Sequence, residues 1–275
     1  MNITAQQVNE LRKITGAGMM DCKKALIESE GDIEKAIDIL RKKGQKVAAN
    51  RADRSANEGV VLAKVSDDKT FAAVVMVNCE TDFVAKNADF IAYTESVLDT
   101  ALKNKVKDID TLKSTDLDGH TVEETITNQT GVIGEKIELG KYEVVEAAST
   151  YAYIHPGNRI ATIAGFNKAG DFDAEGKDVV MQIAAMAPVS LSKDDVPADV
   201  IAHEIEIGKD MARQEGKPEE ILEKIAMGKL NKFFKENTLL NQAFIKDSKK
   251  SVAEYLKSKD KDLTVVDFKR IALGS

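Results

Sequence analysis

The side chains able to do covalent or metal chemistry are few and scattered: two cysteines, Cys22 and Cys79, and three histidines, His120, His155 and His203. The cysteines form no C-x-x-C pair and have no histidine at ligand spacing, so neither a disulfide framework nor a zinc site is indicated. Each reads as a small buried hydrophobe suited to a reducing compartment. Cys79 acting as a nucleophile would need a nearby base and a lowered pKa, and alkylation would then abolish activity. The patterns G-x-x-x-x-G-K-[ST], G-x-G-x-x-G and H-E-x-x-H do not occur, and Gly16-Ala17-Gly18 is weak support for a phosphate loop. No catalytic set and no cofactor are expected. On spacing alone His155, before Pro156 in a turn, reads as an ordinary surface histidine, and His203 as solvated.

The stretch with most chemical character is suited to contact. Asn78-Cys79-Glu80-Thr81-Asp82-Phe83-Val84-Ala85-Lys86-Asn87 follows Phe71-Ala72-Ala73-Val74-Val75-Met76-Val77, a short apolar run that reads as an interior strand. Asn87 can cap a helix on which Phe90, Ile91, Thr94, Val97, Leu98, Ala101 and Leu102 recur at helical spacing. Residues 81–86 are therefore a short surface connection, where Phe83 is costly to leave in water. Two readings stand: Phe83 folds back as a lid on the core, or it is a wedge offered to a partner with Asp82 beside it.

Composition bounds the class. With 275 residues, 43% hydrophobic and 31% charged, the chain has room for more than one globular domain. The start lacks the apolar core of a signal peptide and no run approaches a membrane span, so a cytoplasmic protein is expected. The net charge of −7 is uneven: residues 1–54 hold eleven basic and eight acidic side chains, a net +3, leaving −10 for the rest. Arg41, Lys42, Lys43, Lys46, Arg51 and Arg54, against the single acid Asp53, form a basic hinge. Such a run binds nucleic acid or simply solvates a helix end. Without interleaved aromatics and in an acidic chain, direct nucleic-acid binding is not expected, and a protein partner with acidic patches is.

The positioning elements can be read in outline. Thr4 and Gln7 stand in capping-box relation, with Ile3 and Val8 at staple positions, and Val8, Leu11 and Ile14 are predicted to face inward. Gly16 and Gly18 separate a second helix carrying Cys22, Ala25 and Leu26. Gly31-Asp32 opens a third with Ile33, Ala36, Ile37 and Leu40, which Gly44 should end. Met19 and Met20, adjacent at a helix start, cannot both enter one small core. Either one packs while the other is exposed, or the pair grips a partner.

Strands follow. Residues 59–65, a turn at 66–69 and residues 70–78 read as a hairpin before the helix already described. Residues 151–155, the turn Pro156-Gly157-Asn158, residues 159–166 and a helix over about 174–187 repeat that plan, and 170–174 echoes 81–85. The polar stretch 111–135, helical in part, joins the copies. Pro197, Gly216 and Pro218 then bound an αα-hairpin reaching about residue 237, with Ile201, Ile205, Met211, Ile221, Ile225, Leu230 and Phe233 available for its seam. A helix over 251–256 and a strand over 263–271 should return to the core sheet. The fold class is α+β.

Two ordered motifs carry a family resemblance. The segment 78–87, with Thr15-Gly16-Ala17-Gly18-Met19-Met20-Asp21-Cys22-Lys23-Lys24-Ala25-Leu26, resembles bacterial translation elongation factor Ts, and the likeness continues through residues 153–160, 216–220 and 268–270. It implies an N-terminal ubiquitin-associated-like three-helix domain with a basic linker (1–54), a duplicated core (55–140 and 141–190), a helical hairpin (191–240) and a returning C-terminal segment (241–275). It further implies a guanine nucleotide exchange factor for elongation factor Tu. Partner contacts are carried over to Arg12, Met19, Met20, Thr81, Asp82, Phe83, Val84 and His155, with a homodimer or 2:2 complex formed through the hairpin. One departure is Ala243 in Asn241-Gln242-Ala243-Phe244, where the family commonly has Gln-Pro-Phe, so the path after the hairpin lacks proline's fixed φ.

Overall fold

A computed structural model describes residues 3–274, which form an α+β fold of eleven α-helices and small sheets. In chain order the elements are α1 (Ala5–Thr15), α2 (Met19–Glu28), α3 (Ile33–Asn50), β1 (Glu58–Val65), β2 (Phe71–Cys79), α4 (Asp82–Ala85), α5 (Ala88–Lys103) and α6 (Ile109–Ser114). There follow β3 (Asp116–Leu117), β4 (His120–Thr121), α7 (Val122–Ile133), β5 (Glu138–Glu146), β6 (Ser149–Ile154), β7 (Ile160–Phe166) and α8 (Asp173–Met186). The chain ends with α9 (Ala198–Gln214), α10 (Glu219–Asn237), β8 (Ala243–Phe244), β9 (Asp247–Ser251), α11 (Val252–Lys259) and β10 (Val265–Ala272). Two compact units result. One comprises the chain up to Leu62, Val75–Glu143 and the residues from Ile271 on; the other comprises Ala63–Val74 and Val144–Arg270.

In the first unit, α1 begins with the expected capping box: Thr4 Oγ1 accepts from the Gln7 amide, and the Gln7 side chain accepts from the Thr4 amide at 3.0 Å. Ile3 and Val8 join Leu11, Cys22, Leu26 and Ala36 in one small core. Ile14 departs from expectation, lying 58% exposed, because Val8 and Leu11 already fill the narrow stripe that α1 offers to α2 and α3.

Gly44 does not end α3, which continues through the basic run to Asn50. Its role is packing. A Cβ on Gly44 would lie 3.5 Å from the Gly131 Cα, and a Cβ on Gly131 would overlap the Gly44 backbone outright. The two glycines thus let α3 and α7 approach closely. The cost in helix propensity, about 1 kcal/mol per glycine relative to alanine, is offset by that contact. Arg41, Lys42, Lys43 and Lys46 of the basic hinge therefore lie on a helix, with Arg51 and Arg54 in the turn after it, and three of the six cations have acidic partners: Lys43 bridges Asp21 at 2.5 Å, Arg41 reaches Glu124 at 3.9 Å, and Arg51 meets Glu80 at 2.6 Å.

The strands β1, β2 and β5 form one sheet in the order β1-β2-β5, with every residue of β2 buried. β5 escaped the sequence reading because its apolar positions, Leu139, Tyr142 and Val145, stand three apart rather than two. In the second unit β7 is flanked by β6 and β10, and β6 pairs antiparallel with β7, Ser149 opposite Phe166. Phe166, Val179, Ile183, Leu256 and Val265 form its core.

The αα-hairpin of α9 and α10 is present, but its seam is made by Gly208, Ala212, Leu222, Ala226 and Leu230, while Met211 and Ile221 are 47% and 41% exposed. Small residues win the seam because close approach needs them: a Cβ on Gly208 would sit 3.0 Å from the Ala226 Cα. Ion pairs Lys209–Glu223 (2.7 Å) and Arg213–Glu219 (2.9 Å) line one flank. Beyond the hairpin, the buried Gln182 amide donates to Gln242 Oε1 and to the Ala243 carbonyl, both at 3.1 Å. Side-chain hydrogen bonding holds the path at Ala243.

The α3–α7 crossing is directly testable. Gly131→Ala should destabilise the first unit by about 2 kcal/mol or more through overpacking. Gly228→Ala, in α10 with open space around it, should be neutral or slightly stabilising. Amide hydrogen exchange resolved on α3 and α7 would show the difference; equal protection in both variants would remove the close-packing account.

Candidate functional site

The turn carrying Phe83 is a single helical turn, α4, rather than an irregular connection. Thr81 caps it, its Oγ1 accepting from the Val84 amide at 3.4 Å, and Asn87 caps α5 by accepting from the Asp89 amide at 2.7 Å. Phe83 is 83% exposed, which rules out the lid on the core. Asp82 is half-buried and bridges Lys86 one turn on, at 2.6 Å. That lysine's donated hydrogen bond and charge hold the Asp82 carboxyl below its ordinary range. Val84 is partly buried. An apolar ring thus stands in water beside an ionised carboxylate.

Two carboxylates behind the turn hold it in place. Glu135, in the loop entering β5, accepts from the Glu80 amide (3.2 Å), the Thr81 amide (3.0 Å) and the Thr81 hydroxyl (2.7 Å). Glu80 reciprocates, accepting from the Lys136 amide and from Arg51 Nη1, each at 2.6 Å. The Lys136 ammonium in turn donates to the Arg54 carbonyl at 3.0 Å. Arg51, Glu80 and Glu135 were not identified from sequence. Their pairings span 29 to 56 residues, and no local pattern records them.

The motif at 15–26 borders two clefts in this unit, and the motif at 78–87 borders the first of them. One, of about 300 Å³, is lined by Thr15, Gly16, Val84, Asn87, Val132 and Ile133. The other, of about 240 Å³, includes Ile14, Ala17, Leu40, Arg41, His120 and Val132. Val132, 37% exposed, stands between them. Gly16, at φ 67°, closes α1 in a left-handed conformation that favours glycine and turns the chain towards α2. Met19 and Met20 are 56% and 62% exposed, so neither packs into the small core, and Arg12 is exposed on α1. Ile27 is likewise exposed.

His155 belongs to the second unit. It sits exposed at the β6–β7 turn, where its amide donates to the Ile160 carbonyl at 2.9 Å and its Nδ1 lies 3.1 Å from Tyr153 Oη. Tyr153 packs edge-on against the imidazole at 6.0 Å between centroids. The ring is thereby held in one orientation.

The groups that would be needed for covalent chemistry are otherwise engaged. Cys79 is buried and donates to the Thr81 carbonyl at 3.2 Å; burial, then the nearby Glu135 charge, push its thiol up to about 12. Cys22 is buried and donates to the Ala17 carbonyl. His120 lies between Arg41 and Glu124, at 3.5 and 3.9 Å. Among the described residues, no group of three or more His, Cys, Asp or Glu side chains is placed to hold a metal, and no helix is long and apolar enough to cross a membrane.

Two measurements follow from these environments. Iodoacetamide at pH 8 should leave Cys79 unmodified until the protein is unfolded, since the thiolate is scarce and shielded; rapid labelling of the native chain would restore Cys79 as a candidate nucleophile. The Glu80 carboxyl is held below its ordinary 4.5 by the Lys136 amide first and Arg51 second. Its contribution is therefore complete above the unfolded value and lost as pH falls through the lower folded one. The Lys136 amide should stay protected from exchange down to about pH 4.5 and lose protection only below it; loss at pH 6 would contradict the assignment.

Comparison with known proteins agrees with these motifs. The family described as Elongation factor TS matches residues 80–275. The protein named Elongation factor Ts of Christiangramia forsetii is 55% identical over 273 residues, 99% of each chain. Its namesake of Flavobacterium psychrophilum is 53% identical over 99% of each, and that of Porphyromonas gingivalis 50% identical over 100% of each. With the family matching well over half of the chain and relatives above 50% identity covering nearly all of it, this protein belongs to the elongation factor Ts family of translation elongation factors.

Proposed function

We propose that the chain is a guanine nucleotide exchange factor for elongation factor Tu and works by contact alone, without catalytic residues of its own. The observation that carries this reading is Phe83, 83% exposed on a capped helical turn. Burying a phenylalanine stabilises by about 1.5–3 kcal/mol, so such a ring is a ready source of binding energy. The partner holds GDP through a phosphate loop and a Mg²⁺ ion whose oxygen shell demands near-ideal geometry. Phe83 enters beside that site with Asp82, while Thr81 and Val84 shape the turn. The metal site is disturbed and GDP leaves.

Arg12, Met19 and Met20 hold the partner's nucleotide-binding domain from another side. The adaptable methionine pair, exposed in full view of solvent, supports that role. His155, oriented by Tyr153, grips a different domain. Exchange requires tighter binding to the empty partner than to its GDP form, since equal affinity shifts nothing. By reciprocity GDP weakens the complex.

The same proposal takes α1–α3 and the basic residues to 54 as a ubiquitin-associated-like domain. It takes the two hairpin–helix units, β1-β2-α5 and β6-β7-α8, as the duplicated core at 55–140 and 141–190. The hairpin, 191–240, offers Ile207, Met211 and Ile221 to a second copy or to the partner, and 241–275 completes the core in a cytoplasmic protein. Met211 and Ile221, 47% and 41% exposed on a hairpin whose own seam is already filled, support the hairpin as a contact surface.

Release of a fluorescent GDP analogue from elongation factor Tu, chased with excess GDP, tests the reading. Catalytic amounts of the chain should accelerate release, and Phe83→Ala should slow it by tenfold or more while leaving the fold intact, roughly the loss of one well-placed group. Binding without acceleration would identify a passive scaffold instead, and unchanged release by Phe83→Ala would remove the wedge.

A further inference from the structure

Phe83 can disturb a metal site only if its turn resists being pushed back, and α4 is too short to supply that resistance. A four-residue helix is not stable by itself, and none of its residues is buried. The resistance must come from outside the turn. We propose that Glu135 is the positioning residue for the Phe83 wedge, an inference that rests on the exchange reading above.

Its carboxylate takes both backbone amides that lead into the turn, Glu80 and Thr81, on Oε2, and the Thr81 hydroxyl on Oε1. Having donated its proton to Glu135, the Thr81 hydroxyl has its lone pairs free for the Val84 amide, the amide directly after Phe83. The orientation of the capping oxygen, and hence of α4, is thus set by Glu135. Charge-assisted bonds of this kind are about twice as strong as neutral ones. Glu135 itself is held by its neighbour, since the Lys136 amide is bound by Glu80 at 2.6 Å. Glu80 is in turn fixed by Arg51, the C-cap residue just past α3. Two consecutive residues on each strand-end loop exchange backbone donors for side-chain acceptors. This bracket ties Phe83 to β5's entry and to the helix that packs on α7.

The test compares Glu135→Ala, Glu135→Gln, Phe83→Ala and the Phe83→Ala/Glu135→Ala double variant. Glu135→Ala should lower the saturating rate of GDP-analogue release from elongation factor Tu by about tenfold while moving the half-saturating concentration less than about threefold, because it misaligns the wedge without removing contact surface. Glu135→Gln should fall between the unsubstituted chain and Glu135→Ala, since its amide oxygen still accepts both backbone protons while its NH2, standing where Oε1 stood, cannot accept from the Thr81 hydroxyl. In the Phe83→Ala background, Glu135→Ala should add no further loss. A full additional tenfold loss there, or no loss in the single variant, would overturn the proposal.

A second arm needs no partner. Amide exchange at Thr81 and Val84 in the free chain should accelerate in Glu135→Ala, and that at Thr81 should remain slow in Glu135→Gln, with α5 and β2 unchanged. Normal protection in Glu135→Ala would overturn the positioning role. Failure of the unsubstituted chain to accelerate release would instead overturn the exchange reading, so the two failures are distinguishable.

Discussion

The contact on which the candidate site depends is the approach of two backbones, α3 against α7 at Gly44 and Gly131. Nothing larger than a hydrogen fits at Gly131. That crossing seats α3, and with it the small core of α1 and α2, against the helix whose end leads into Glu135. Arg51, one residue past α3, then reaches Glu80. A side chain at Gly131 would push the helices apart and strain the register in which Arg51 meets Glu80 at 2.6 Å. Glycine is a poor helix former, and its presence inside both helices marks where tertiary packing outweighs local propensity.

Carboxylates here serve as fixed acceptors for backbone amides. Glu80 and Glu135 accept amides that no strand or helix satisfies, at a place where the chain leaves a buried strand. Unmade, such bonds would cost about 1–3 kcal/mol each. Satisfied by charged groups, they make a stiff platform from a loop. The same arrangement accounts for the chemistry the site avoids: Glu135 lies near Cys79, and its charge adds to burial in keeping the thiol protonated.

Small residues play a parallel part in the hairpin, where Gly208, Ala212 and Ala226 share the seam with Leu222 and with Leu230, the one residue of the expected set that lies buried there. Periodicity alone could not choose between adjacent stripes. On α9 and α10 the apolar residues spread over more than one face, and closeness of approach selects the stripe with the least volume, displacing Met211 and Ile221 to solvent. Ion pairs on the opposite flank lock that choice in place.

Features that depend on neighbours a few residues apart are legible in the chain's order alone. The Thr4–Gln7 capping box, the Asn87 cap, the strand over 70–78, the αα-hairpin bounded by Pro197, Gly216 and Pro218, and the family motifs at 15–26 and 78–87 all carry their cause within one or two turns of chain. For Phe83 the sequence allows both burial and exposure, because a lone aromatic in a loop has no period to show which way it faces. The tertiary structure alone decided the rest. Gly44 continues a helix because Gly131 arrives from 87 positions away; Ile14 is left in solvent because α1 needs only Val8 and Leu11 for its core. Glu135 becomes an anchor because it meets two amides 54 and 55 residues earlier in the chain. Propensity and capping act over local distances, whereas close packing and amide satisfaction are set by whichever segments the fold brings together.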